Sequence, residues 1–144
     1  MITYDIILSA SAPYPGVRTS IDKEKKYAVV SQIQWHGLDP EEALISISPE
    51  PDRAVLSTER ILQVIKENAS STAVLWLSGV QFYTGQAFDI KSITRYAQSK
   101  GILVGWDLAH AAGNVVLELH EWGVDFVSFL SWAMAELSPP SLSA

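Results

Sequence analysis

Hydrophobic and polar positions along this 144-residue chain alternate between short apolar runs and stripes at helical spacing. Tyr4 to Leu8 is short, apolar and rich in strand formers, which predicts a strand. Ser11 to Ile21 mixes prolines, a glycine, Ser and Thr, which predicts a loop. Lys23 to His36 carries Tyr27, Val30, Ile33 and Gln34 at roughly helical spacing, with Gly37 as C-cap candidate and Pro40 just beyond. Ala43 to Ile47 reads as a short strand, and Pro49, Pro51 and Asp52 as a turn. Ser57-Thr58-Glu59-Arg60 opens a helix with Thr58 as the candidate N-cap, and Ile61, Leu62 and Ile65 form its apolar stripe.

The second half repeats the alternation. Thr72 to Leu77 is a continuous apolar run, the signature of a strand buried on both faces. Asp89 starts a helix through Ile93, Tyr96 and Ala97 that ends at Lys100-Gly101. Ile102 to Trp106 is the next buried strand, Val115 to Trp122 a short helix closed by Gly123, and Val124 to Phe129 the last strand. Strands and helices in this order predict an α/β fold, a mostly parallel sheet flanked by helices. The Ser/Pro-rich stretch Glu136 to Ala144 is expected to be a disordered tail, leaving residues 1–135 as one domain.

Composition narrows the function classes. Hydrophobic residues make up 48% and charged residues 18%, a globular balance. A net charge of −6 argues against nucleic acid or an anionic membrane as partner. Cysteine is absent, so disulfides and thiolate catalysis are excluded. No apolar run reaches the ~18 residues of a membrane span. Met1 is not followed by a basic segment and a long apolar stretch, so a cytoplasmic protein is expected.

The chemistry concentrates at Gly105-Trp106-Asp107-Leu108-Ala109-His110. A carboxylate closes a core strand, where an acidic side chain needs a cation or strong donors. In open α/β sheets ligands sit at that edge. One chemistry that uses a carboxylate there is pyridoxal phosphate catalysis, which keeps the pyridine nitrogen protonated. A helix cap or turn role for Asp107 is equally compatible with its position. Asp107 and His110 alone are too few ligands for a metal site. Ser78 ends its own buried run, so it belongs on the same sheet edge, although a strand-end turn serine is the commoner case. No P-loop, dinucleotide G-x-G-x-x-G or G-x-S-x-G elbow is present. His36, His120, Glu121 and Trp122 read as helix-end or packing residues.

Four blocks resemble kynureninase: Ser31-Gln32-Ile33-Gln34-Trp35-His36-Gly37-Leu38, Leu77-Ser78-Gly79-Val80-Gln81-Phe82-Tyr83-Thr84-Gly85-Gln86, Gly105 to Asn114, and Leu119-His120-Glu121-Trp122-Gly123-Val124-Asp125-Phe126. They stand in the order and spacing of that family, over residues from about 26 to about 126. The resemblance implies a fragment of the large domain of a fold type I pyridoxal 5'-phosphate enzyme. The family hydrolyses kynurenine or 3-hydroxykynurenine to anthranilate or 3-hydroxyanthranilate plus alanine, in tryptophan catabolism and the route to NAD. A cytoplasmic homodimer is implied with it. Residue by residue, Asp107 matches the carboxylate that pairs with the pyridinium nitrogen. His110 matches a residue near the phenolic side of the ring, and Ser78 a cofactor-contacting serine.

The chain departs from that pattern at two places. After the last strand the family carries Ser-Tyr-Lys, whose lysine forms the Schiff base with the cofactor. Here the register gives Ser131-Trp132-Ala133, and no lysine follows Lys100. Alanine has no amine, so no catalytic residue is assigned. Upstream, Asp22-Lys23-Glu24-Lys25 replaces a Phe-Pro-Ser-Asp cofactor segment, and Pro13 to Ile21 reads as inserted sequence. Both breaks are abrupt, as expected of a truncated fragment. Three readings follow: a kynureninase-type hydrolase, a non-catalytic fragment or pseudoenzyme, and a small α/β binding module for an unrelated ligand.

Overall fold

The computed structural model describes residues 6–10, 29–50, 53–82 and 84–128. Among the described residues five strands form one sheet: β1 (Ile6–Ala10), β2 (Leu44–Ile47), β3 (Thr72–Ser78), β4 (Leu103–Asp107) and β5 (Phe126–Ser128). Helical segments connect them: α1 over residues 29–35, α2 (Pro40–Ala43), α3 (Thr58–Asn68), α4 (Ile90–Gln98) and α5 (Leu119–Trp122). The spatial order is β2-β1-β3-β4-β5, and every strand pair is parallel. The expected parallel α/β architecture is therefore present. The expected loop Ser11 to Ile21, the expected tail Glu136 to Ala144 and Ala133 lie outside the described residues.

The two faces of the sheet are covered unequally. One face carries Leu75 and Leu77 of β3 and Val104 and Trp106 of β4, all buried against Ile61, Val64 and Ile65 of α3 and Ile93 and Ala97 of α4. Truncating a leucine in such a layer costs ~2–5 kcal/mol. The other face meets α1 through Val29 and Ile33, which pack with Ala43, Leu44 and Trp76. The chain steps from β1 to β2 in one direction, then crosses β1 to reach β3 and continues in the other. A change of direction with a change of covering face is what right-handed crossovers produce. On the α1 face beyond its reach, Leu103 is 48% and Phe126 39% exposed. The β3 run is thus buried on one face and only half-buried on the other, through Val74 and Trp76. That corrects the expectation of burial on both faces.

Several element ends also shift, each for a local reason. Gly37 does close α1: it adopts φ +74, and Leu38 N–H reaches back to the Ile33 carbonyl at 3.1 Å. Pro40, read as lying just beyond a helix end, instead starts α2 with Asp39 as its cap. The Asp39 carboxylate accepts from Glu41 N–H at 2.9 Å, and Pro40 sits in the first turn, where its missing N–H is harmless. Ala43 is therefore helical and β2 begins at Leu44. Ser57, not Thr58, caps α3, accepting from Arg60 N–H at 3.1 Å. Residues 115–118 are not helical, so α5 is a single turn from Leu119. Tight turns spanning Leu108 to Val115 use the chain that a longer helix would need. β5 begins at Phe126 rather than Val124, because the Asp125 carboxylate accepts from Val104 N–H at 2.7 Å.

Candidate functional site

Register alone assembles the candidate site. Ser78 pairs with Asp107 across β3 and β4, and Asp107 pairs with Ser128 across β4 and β5. Residues paired in a parallel ladder project to the same face, so Ser78, Asp107 and Ser128 form a polar row at the carboxyl ends of three adjacent strands. All three are half-buried. One step down the same face, Trp76, Gly105 and Phe126 form an aromatic row with a glycine at its centre.

The turns after the strands hold this row in place. Gly79 N–H donates to the Asp107 carbonyl at 2.8 Å, and Leu108 N–H donates to the Ser128 carbonyl at 2.9 Å. One carboxylate oxygen of Asp107, Oδ1, accepts from Ala109 N–H at 3.0 Å. This is an Asx turn, which redirects the chain immediately after the strand. Ala111 and Ala112 N–H groups then both bond the Leu108 carbonyl. Leu108, Ala109 and Ala111 are buried, which leaves His110 half-buried beside the strand ends.

The connection from β3 to α4 is a hydrogen-bonded hairpin. Val80 and Ala87 form an antiparallel bridge, Gln81 N–H bonds the Gln86 carbonyl at 2.8 Å, and Phe88 N–H bonds the Gly79 carbonyl at 3.1 Å. The Gln81 side chain accepts from Thr84 N–H at 2.8 Å. The Gln86 side-chain amide takes both main-chain groups of Leu56, donating to its carbonyl at 2.6 Å and accepting from its N–H at 3.1 Å. Held this way, Phe82 lies 6.1 Å from His110 between ring centroids, with planes tilted by 33°.

Sequence reasoning placed Ser78 and Asp107 at one sheet edge, and the register puts them side by side. It missed Ser128 and the Phe82–His110 pair. A serine two residues after Phe126 carries no signal until β5 is aligned with β4. His36 lies just past α1, His120 and Glu121 are exposed on α5, and Trp122 packs on the core. A cleft of about 450 Å³ between α1, α2 and β2 is lined by Val30, Gln34, Asp39 and Leu44. It lies at the far edge, with β1 and β3 between β2 and β4. Among the described residues no cluster of three or more His, Asp or Glu is arranged to hold a metal ion. No described helix is long and apolar enough to cross a membrane.

The sequence profile of the Aminotransferase class-V family matches residues 25–132. The chain belongs to the aminotransferase class-V family. Within it, the class-V chain is 56% identical over 117 residues to a kynureninase from Botryotinia fuckeliana, a match covering 81% of this chain and 25% of that protein. It is 57% identical over 118 residues to kynureninase 1 of Aspergillus oryzae, covering 81% and 24%. The chain thus spans about a quarter of the length of these curated relatives. Among solved structures, an alanine–glyoxylate aminotransferase from Nostoc shares the fold with a TM-score of 0.63 at 22% identity, covering 88% of this chain and 29% of that one. A cysteine desulfurase from Escherichia coli does so at 0.63 and 18% identity, covering 90% and 29%.

Proposed function

We propose that this chain is the cofactor-holding part of a kynureninase-like protein, and that the row centred on Asp107 receives the ring of pyridoxal 5'-phosphate. The observation that carries the reading is the carboxylate at the carboxyl end of β4, flanked in register by two hydroxyls, in a chain 54–57% identical to kynureninases. The donor set fits the nitrogen side of that ring. A carboxylate held by a turn N–H favours a protonated pyridine nitrogen, as an oppositely charged hydrogen-bonding partner does. When bound, the cofactor supplies an electron sink for bond cleavage in an amino-acid substrate. Asp107 holds the ring-nitrogen proton, Ser78 contributes a hydroxyl to the cofactor, and His110 braces the phenolic side with Phe82 behind it. By kinship the substrate class is kynurenine or 3-hydroxykynurenine and the assembly a cytoplasmic homodimer.

The aldehyde side of the cofactor fits differently. Residue 133 is alanine, and the six lysines of the sequence are Lys23, Lys25, Lys26, Lys66, Lys91 and Lys100. This favours a second reading alongside the first: the chain holds the cofactor without a covalent link at this position and does not turn over substrate, as a pseudoenzyme or fragment would. Titration with pyridoxal 5'-phosphate followed by absorbance, borohydride reduction and mass mapping tests both. The expected result is saturable binding, weakened at least tenfold by Asp107→Ala as one charge-assisted contact worth ~1.5–3 kcal/mol is lost. The Ala133→Lys variant is expected to gain a reducible pyridoxyl adduct at position 133. Binding indifferent to Asp107→Ala would remove the proposed site. Alanine release from kynurenine by the unaltered chain would refute the second reading.

A further inference from the structure

We infer that Gln86 is a positioning residue for the ligand site, acting through the hairpin that sets Phe82 against His110. The inference rests on the proposed role of the Asp107 row as a seat for the ring of pyridoxal 5'-phosphate. The base of the hairpin is fixed at the strand ends. Gly79 N–H donates to the Asp107 carbonyl at 2.8 Å, Phe88 N–H donates to the Gly79 carbonyl at 3.1 Å, and Val80 and Ala87 form an antiparallel bridge. Beyond the bridge the loop closes on itself: Gln81 N–H bonds the Gln86 carbonyl and Gly85 N–H bonds the Gln81 carbonyl, each at 2.8 Å. A two-stranded hairpin of this size is marginally stable in water by itself. The Gln86 side chain reaches out of it. It donates to the Leu56 carbonyl at 2.6 Å and accepts from the Leu56 N–H at 3.1 Å, 30 residues earlier in the chain. Leu56 is buried in the main core.

That pair of bonds makes the hairpin an extension of the core. One hydrogen bond leaves a hinge, whereas a planar amide that both donates and accepts at one residue fixes distance and orientation together. Gln86 is half-buried, where such bonds are stronger than in open water. Phe82 stands on the loop of the same hairpin, and its ring centroid lies 6.1 Å from that of His110, within the range of favourable aromatic pairs. His110 is held from its own side. Ala111 and Ala112 N–H groups bond the Leu108 carbonyl, and the His110 carbonyl accepts from the Asn114 amide at 3.0 Å. The two rings therefore arrive from two connections, one after β3 and one after β4, and they meet at the edge where Ser78 and Asp107 stand side by side. Gln86 secures the Phe82 half of that meeting. Releasing it loosens one wall of the site without removing any group that meets the ligand.

The test reads the ring pair and the ligand separately, on the full chain. Proton NMR of the His110 Cε1–H reports the nearby Phe82 ring through its ring-current shift. Absorbance titration with pyridoxal 5'-phosphate gives Kd. Gln86→Met keeps the side-chain length and removes both bonds to Leu56, and Phe82→Ala removes the ring. In Gln86→Met the His110 signal is expected to move toward its position in Phe82→Ala, and Kd to rise about three- to tenfold, the span an aromatic pair contributes. In the Phe82→Ala background the same change should alter Kd by less than about twofold, because both substitutions remove one contact. Thermal melts confirm that the variants are folded. If Gln86→Met is unfolded at the titration temperature, Gln86→Glu, which keeps an acceptor for the Leu56 N–H, carries the same comparisons. A His110 signal unmoved by the substitution overturns the inference. A rise in Kd that is just as large in the Phe82→Ala background also overturns it, since Gln86 would then act by another route. A Kd indifferent to Gln86→Met but raised by Asp107→Ala overturns it and leaves the proposed site standing. A Kd indifferent to Asp107→Ala overturns the proposed site and this inference together.

Discussion

The Phe126 ring lies against the bare α-carbon of Gly105, its register partner on β4. A side chain at position 105 would overlap that ring, so the glycine is what allows β5 to close on β4 with Ser128 in line with Asp107. Gly105→Ala is expected to destabilise the chain by ~1–3 kcal/mol, as overpacking does. Pairing it with Phe126→Ala should recover part of that loss, because the two changes share one clash. Urea denaturation of the single and double variants measures the coupling, and strict additivity would contradict the packing described.

Trp106 anchors the same strand from the opposite face. Its indole N–H donates to the Thr94 hydroxyl of α4 at 2.9 Å, and both residues are buried. Thr94→Val keeps the shape and removes the acceptor, leaving a buried indole N–H without a partner. A loss of ~1–3 kcal/mol is expected, read as a lower midpoint in chemical denaturation. Thr94→Ser should restore most of it.

Gln86 ties the site hairpin to the segment before α3 through both main-chain groups of Leu56. Gln86→Ala should cost about 1–2 kcal/mol and accelerate hydrogen exchange at the Leu56 amide. Gln63 offers a control, since its amide bonds Glu67 at 2.8 Å on the exposed face of α3. Gln63→Ala is expected to change stability by no more than ~0.5 kcal/mol.

Asp89 caps α4, and the hydrogen bond from Ser92 N–H holds its carboxyl below the ordinary value of 3.8. The Ser92 side chain and the charge of Lys91 act in the same direction, while partial burial opposes them. The folded chain thus binds this proton less tightly than the unfolded chain. The capping contribution is full above that ordinary value and fades as the pH falls below it. Asp89→Ala should cost ~1 kcal/mol at neutral pH. The difference from the parent chain should shrink in melts run from pH 5 down to about 3.

Much of the fold was written in local pattern. The runs at Thr72 to Leu77 and Ile102 to Trp106 could satisfy their apolar content only as core strands, and the stripe of Ile61 and Ile65 only as a helix packed on them. Gly37 announced its cap because one backbone conformation suffices to make it, and Asp89 marked the start of α4, which it caps rather than joins. Boundaries were less legible where two residues compete for one role, as Ser57 and Thr58 do for the α3 cap. They also failed where a side chain from elsewhere takes a ladder position, as Asp125 does at Val104.

What the sequence determined by itself was the kind of sheet, the identity of its core strands and the presence of a carboxylate at the end of one of them. Those follow from hydrophobic periodicity and from the cost of burying charge, which act within a few residues. Only the tertiary structure decided that Asp107 stands between Ser78 and Ser128, that Phe82 meets His110, and that one sheet face is left partly bare beyond α1. Those depend on register between strands 21 to 29 residues apart. No local pattern encodes that register, because it is set by how whole layers pack.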